Sequence, residues 1–139
     1  LPPVEWIPHA ASSSAVLPLQ RVSRVLPQAL LSGATSAAWY PKRHMVSEKY
    51  VPSLASRLLH PGYAAQKDGV GFTRRRWSCA HGSFFAGVTS ASRLDYIVGK
   101  FLEIPASGSL LVANRAAQPH LEALGFEDGV SMLPFNDTD

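Results

Sequence analysis

Basic side chains stand close behind two stretches of small hydroxyl residues. The first stretch runs from Ser32 to Ser36 and is followed by Arg43. The second runs from Thr89 to Ser92 and is followed directly by Arg93. Guanidinium groups bind phosphate through charge-assisted hydrogen bonds, and a glycine such as Gly33 lets an anion approach the backbone. The pattern predicts an anion site, although it is shorter than a P-loop or a dinucleotide fingerprint.

Two carboxylates and a lysine follow the second stretch. Glu103 interrupts the otherwise apolar start of "KFLEIPASGSLLVAN", with Lys100 one helical turn before it and Asp95 eight positions before it. The residues alone leave two interpretations of Glu103 open. It is either a solvated helix residue paired with Lys100 or a hydrogen-bond acceptor facing a cleft. Asp95 is equally explained as an acid that a helix N-terminus favours.

Apolar runs and turn residues predict strands that alternate with helices, which is typical of an α/β domain with a mostly parallel, Rossmann-like sheet and flanking helices. The predicted strands are 27–32, 83–90, 109–114 and 129–135, and 53–63 fits a strand or a helix. Pro41 suits the first turn of a helix, and Gly125 suits the end of a short one over "PHLEALGF". Residues 1–25 are rich in Pro, Ser and Ala and are predicted to be a linker, which leaves 26–139 as the domain.

The longest predicted helix covers 93–107 and positions the carboxylates. Its apolar residues repeat at three- and four-residue steps from Leu94 to Ile104, and Gly108 should end it. Ser92 would be its N-cap. Because ligands of parallel sheets bind outside the carboxyl ends of the strands, we expect free backbone N–H groups at this helix start to face an anion.

Composition excludes several classes of protein. The chain has 139 residues, 46% of them hydrophobic, and a formal net charge of +3. That charge suits a nucleotide phosphate better than nucleic acid, and no apolar run is long enough for a transmembrane segment. The single cysteine, Cys79, excludes an internal disulfide, favours a cytoplasmic location and is predicted to be buried. The histidines lack metal-ligand spacing, and the run Arg74 to Arg76 is interpreted as a solvated helix face.

The block from Lys100 to Asn114 resembles the signature of spore-protein-type glycosyltransferases, in which a Lys, an aromatic residue and Glu-Ile precede a small-residue-Gly turn into a strand. The segments "WIPHAAS", "LLSGATS", "YPKR" and "HPGY" precede it in the order of that family, and "HLEALGFEDGVSMLPF" follows it. The likeness runs from Trp6 to Phe135. It implies one half of a GT-B fold, the C-terminal donor-binding domain, truncated at its C-terminus. The N-terminal acceptor domain would lie outside this chain.

The resemblance also implies roles for single residues. Glu103 would accept hydrogen bonds from the donor ribose, and Asp95 would lie near the sugar, in an Asp-x7-Glu pattern where the family usually has Glu-x7-Glu. Arg43, which follows Lys42, either belongs to a charged helix surface or neutralises the departing pyrophosphate. The other candidate donor-binding residues are Lys100, Gly33, Ser92, Arg93 and Gly108.

The implied function is metal-independent transfer of a sugar, such as a hexose, from a nucleotide-sugar donor to an acceptor, with no other cofactor. The alternatives are a noncatalytic nucleotide-binding module and a basic module that binds phosphate or polyanions. The nucleotide, the sugar, the acceptor and the stereochemical course stay open.

Overall fold

The computed structural model describes residues 26–50, 56–58 and 79–136, so the predicted linker lies outside the described residues. Five strands form one sheet in the order β2-β1-β3-β4-β5, and every pair is parallel. This confirms the predicted Rossmann-like α/β fold, and the ambiguous segment 53–63 contributes a strand. The strands are β1 (Leu26–Ser32), β2 (Ser56–Leu58), β3 (Phe84–Thr89), β4 (Leu110–Asn114) and β5 (Met132–Phe135).

The helices lie between the strands, as the alternating pattern predicts. Pro41 opens the first helix, and Gly125 follows the last one with a φ of +85°. Residues 79–82 are also helical, but Cys79 is exposed there, so its predicted burial is wrong. The bounds are α1 (Pro41–Tyr50), α2 (Lys100–Ala106), a 3-10 turn (Arg115–Ala117) and α3 (Gln118–Ala123).

The long helix predicted over 93–107 is wrong in its first half, because α2 begins only at Lys100. Asp95 has a φ of +54°, which no right-handed helix accommodates, and Leu94 is 69% exposed. Ile97 and Val98 are buried from a loop, so they continue the apolar repeat without being helical. The N-cap of α2 is Gly99, and Ser92 caps no helix.

The helices α1 and α2 cover opposite faces of the sheet. Phe101 and Ile104 of α2 pack against Leu111 in one core cluster, whereas Val46 of α1 packs with Leu31 and Val88 in the other. Gly87 allows the close packing of α2, since a Cβ there would lie 2.7 Å from Ile104 Cγ2. In a sheet of this order, the crevice between β1 and β3 is the topological switch point, where ligands of such folds bind.

Candidate functional site

The loops after β1 and β3 are joined at the switch point by Arg43. Its Nη1 donates to the carbonyl of Ala34 at 3.1 Å, and its Nη2 donates to Thr89 Oγ1 at 3.1 Å and to the carbonyl of Ser90 at 3.0 Å. The guanidinium also lies over the ring of Tyr40, 4.4 Å from its centroid. Arg43 therefore holds in place the two loops that any ligand at this edge would contact.

Arg43 brings an uncompensated positive charge into the protein. The side chain is only 1% exposed, and burial lowers its pKa to about 10. Within residues 26–50, 56–58 and 79–136, its polar partners are carbonyl and hydroxyl oxygens, and no carboxylate pairs with it. The guanidinium stays charged at neutral pH, so the switch point has a positive potential.

Lys100 approaches the same place from α2. A Cβ built on Gly33 would lie 2.7 Å from Lys100 Cε, 3.0 Å from Lys100 Nζ and 2.8 Å from Arg43 Nη1. Gly33 has a φ of +101°, so both its backbone conformation and this space require glycine. Burial and, to a smaller extent, the charge of Arg43 lower the pKa of Lys100 to about 8, while Glu103 opposes the shift. Two cationic side chains thus converge on the end of β1.

Glu103 lies beside Lys100 in the first turn of α2. It is half-buried, and its Oε1 lies 3.6 Å from the Cβ position of Gly99. Its charge is close enough to raise the pKa of Lys100. The two interpretations left open by the sequence are therefore compatible, because a carboxylate next to Lys100 is also at the carboxyl edge of the sheet.

The backbone after β3 does not offer the N–H groups that the sequence predicts for an anion. Arg93 N–H donates to the carbonyl of Trp39 at 2.9 Å, Leu94 N–H donates to Ser92 Oγ at 3.2 Å, and Asp95 N–H donates to the carbonyl of Ser92 at 2.9 Å. The expected anion site at a helix start near Ser92 is wrong, because these groups form a turn instead. The exposed Arg93 side chain lies 4.6 Å from the centroid of the Trp39 ring. Because it follows β3, Arg93 lies at the carboxyl edge of the sheet.

Two of the predicted site residues are not among the contacts that join Arg43, Lys100 and Gly33. Asp95 is exposed in the loop before α2, with the left-handed φ described above. Gly108 has a φ of +87°, and its N–H donates to the carbonyl of Pro105. It ends α2 as predicted, about 12 Å from Lys100 at 1.5 Å per helical residue. Gly108 therefore shapes the turn into β4 and does not line the switch point.

The structure adds His81, which the sequence did not single out. Its Nε2 is hydrogen-bonded to Ser32 Oγ, 3.2 Å away, and both residues are buried. Burial and, to a smaller extent, the nearby charge of Lys100 lower the pKa of His81 to about 4. The imidazole is therefore neutral at pH 7. No sequence signal links Ser32 and His81, because they are 49 positions apart and on different elements.

The described residues hold no group of three or more His, Cys, Asp or Glu side chains placed to bind a metal ion. In the same ranges, no helix has the length and apolarity needed to cross a membrane. The run Arg74 to Arg76 lies outside the described residues.

No protein-family model, curated protein or solved structure matches this chain. The resemblance to glycosyltransferases therefore stays a prediction that depends on the quoted residues.

Proposed function

We propose that this chain binds a nucleotide-sugar donor at the carboxyl edge of β1 and β3, as the donor-binding part of a metal-independent glycosyltransferase. The observation that supports it best is the convergence of Arg43 and Lys100 on Gly33 at the switch point of the sheet. A diphosphate is the anion that this arrangement fits, because its two charged groups match two neighbouring cations. The transfer reaction itself rests on the sequence resemblance.

The electrostatics favour an anion at this place. Arg43 and Lys100 repel each other, and the repulsion lowers the pKa of Lys100. A phosphate group near both would be attracted to both charges and raise the pKa of Lys100 again. A bound diphosphate would therefore offset the repulsion between these two cations.

The three basic residues at this edge would have different roles, because they differ in burial and in hydrogen bonding. Arg43 is fully buried and already hydrogen-bonded to both loops. It would position these loops and contribute positive potential without contacting the ligand. Lys100 and the exposed Arg93 would contact the diphosphate. During transfer these cations would stabilise the negative charge that develops on the leaving nucleoside diphosphate.

The carboxylates would recognise the sugars of the donor. Glu103, beside Lys100, offers two acceptor oxygens to the vicinal hydroxyls of a ribose. Asp95, exposed in the loop after β3, would lie toward the transferred sugar, as the resemblance implies. A catalytic base, where the reaction needs one, is expected from the acceptor domain, so this chain alone should bind the donor and transfer slowly or not at all.

The test is the thermal stability of the chain with UDP, GDP or ADP and their sugar conjugates, since a ligand that binds the native state raises its melting temperature. We expect a rise for at least one nucleotide, its loss in Lys100→Met, and its retention in the control Lys49→Met. Glu103→Gln should weaken binding of the ribonucleotide and leave the 2′-deoxyribonucleotide unaffected, because only the former presents a vicinal diol.

The proposal fails if no nucleoside diphosphate or conjugate raises the melting temperature. It also fails if heparin, a polyanion without a nucleoside, binds as well and competes fully, since that result favours the polyanion-binding alternative. A shift that Glu103→Gln leaves unchanged for the ribonucleotide would remove the ribose contact from the account.

A further inference from the structure

A second set of polar groups lies on the β4 side of Arg43. Asn114, the last residue of β4, is fully buried, and its Oδ1 accepts a hydrogen bond from Ala91 N–H at 2.8 Å. Among residues 26–50, 56–58 and 79–136, its Nδ2 has no hydrogen-bond partner. Ser90 is also fully buried, and its Oγ has no partner in the same ranges, although its carbonyl accepts from Arg43. Two buried polar groups are thus left without partners at neighbouring strand ends.

The strand register brings these groups together. Thr89 of β3 pairs with Ala113 of β4. Ser90 and Asn114 are the next residues along these two neighbouring segments. Adjacent strands lie about 4.8 Å apart. The bond from Ala91 to Asn114 shows that the asparagine side chain reaches across to the segment that follows β3.

The unsatisfied side chains of Ser90 and Asn114 differ in charge from the basic side chains near the end of β1. Lys100 and Arg43 are cationic, whereas a serine hydroxyl and an asparagine amide are neutral donors. Arg43 contacts both sides, because it donates to Ala34 after β1 and to Ser90 after β3. The carboxyl edge therefore carries a continuous polar row that changes from charged at β1 to neutral at β4.

We propose that Asn114 Nδ2 and Ser90 Oγ donate hydrogen bonds to oxygens of the sugar of the donor, while its diphosphate lies at Lys100 and Gly33. The proposal rests on the proposed function and adds the direction in which the ligand lies along the sheet edge. Neutral donors suit the hydroxyl oxygens of a sugar, and the cations suit the diphosphate. Buried donors without partners are rare in folded proteins, and such a ligand would satisfy both.

The test compares affinities for a nucleoside diphosphate and for its sugar conjugate by calorimetry, using UDP with UDP-glucose, GDP with GDP-mannose and ADP with ADP-glucose. Ser90→Ala should weaken binding of the conjugate about tenfold, the effect of one lost hydrogen bond to a buried donor, and leave binding of the diphosphate unchanged. Asn114→Asp keeps the acceptor for Ala91, replaces the Nδ2 donor and should lose conjugate binding as well. The control is Ser47→Ala, a buried serine whose hydroxyl donates within α1 to His44.

The outcomes separate this inference from the proposed function. If the diphosphate binds and Ser90→Ala leaves both affinities unchanged, the sugar assignment is overturned and the proposed function stands. If Ser90→Ala weakens both ligands equally, the pair supports the loop and not the sugar, which also overturns the assignment. If none of the ligands binds, both proposals fall. Should Asn114→Asp not fold, Ser90→Ala decides the question alone.

Discussion

The two edges of the sheet differ in how far their buried hydroxyl and amide groups are satisfied by hydrogen bonds. At the amino edge, Ser109 Oγ lies 2.6 Å from the carbonyl of His81 and 2.8 Å from that of Phe84, and it is hydrogen-bonded there. At the carboxyl edge, Ser90 Oγ and Asn114 Nδ2 have no partner among the described residues. Ser109 is therefore satisfied within the fold, whereas Ser90 and Asn114 each keep one polar atom without a partner in the described part of the chain.

Buried charge follows the same division. Arg43 lies at the carboxyl edge with Lys100 nearby, and burial lowers the pKa values of both. Costly groups of this kind are common where a ligand binds, because binding sites often trade stability for function. The comparison predicts that substitutions at the amino edge change stability alone, whereas those at the carboxyl edge change binding as well.

The largest expected effect on the free energy of unfolding is that of Arg43→Met. This variant tests whether Arg43 is needed to hold the loops at the carboxyl edge. The buried acceptors of Thr89 and Ser90 would lose charged donors, and hydrogen bonds of that kind contribute about 1.5–3 kcal/mol each. We expect the free energy of unfolding in urea to fall by roughly 3–5 kcal/mol. Lys49→Met, at the exposed end of α1, is the matched control. An unchanged unfolding midpoint for Arg43→Met would show that Arg43 does not hold the loops.

The next effect concerns His81, whose carbonyl and ring join the two edges through Ser109 and Ser32. Its pKa is about 4 in the folded protein, against 6.5 without the fold. Between these values the unfolded chain binds a proton that the folded chain excludes. Stability should therefore fall by about 3 kcal/mol as the pH drops from 6.5 to 4.

Urea denaturation at half-unit pH steps measures this loss. In His81→Gln the free energy of unfolding should fall less between pH 6.5 and pH 4. In the control His120→Gln, on the exposed side of α3, it should fall as it does in the unaltered protein. An identical fall in all the proteins would contradict the assignment to His81.

The smallest effect sharpens the contrast between serines. Ser109→Ala leaves buried carbonyls without a donor and should lower the free energy of unfolding by about 1–3 kcal/mol. Ser90→Ala removes a hydroxyl that has no partner, so the free energy should stay the same or rise by less than about 1 kcal/mol. Urea denaturation of both variants side by side measures the difference. Equal losses would mean that the two edges do not differ.

The sheet could be predicted because its strands are short apolar runs bounded by turn residues. β3, β4 and β5 lie where the pattern puts them, and Gly108 ends α2. The helix start was wrong because apolar residues at positions 94, 97 and 98 continue a helical repeat from within a loop. Asp95 adopts the left-handed φ that separates the two segments, and nothing in its residue type required that conformation.

That some of the candidate residues meet at the carboxyl edge could be predicted, but the contacts they make there could not. The rule that ligands bind at strand ends pointed to Gly33, Arg43 and Arg93, and the spacing put Glu103 beside Lys100. Backbone N–H groups were expected to bind the anion, yet they form a turn with Trp39 and Ser92. The burial of Arg43 and the unpartnered amide of Asn114 depend on contacts between distant segments, which periodicity does not reveal.

The most direct test of a diphosphate site at Lys100 is the affinity for the nucleotide sugar that binds best, measured by calorimetry from pH 7 to pH 9.5. The pKa of Lys100 is about 8 in the folded protein, and an anion binds its protonated form. Affinity should be constant near pH 7 and fall about tenfold per pH unit once the pH is well above 8. Lys100→Met should bind weakly without this dependence. A flat profile in the unaltered protein, or an equal fall in Lys100→Met, would contradict the account.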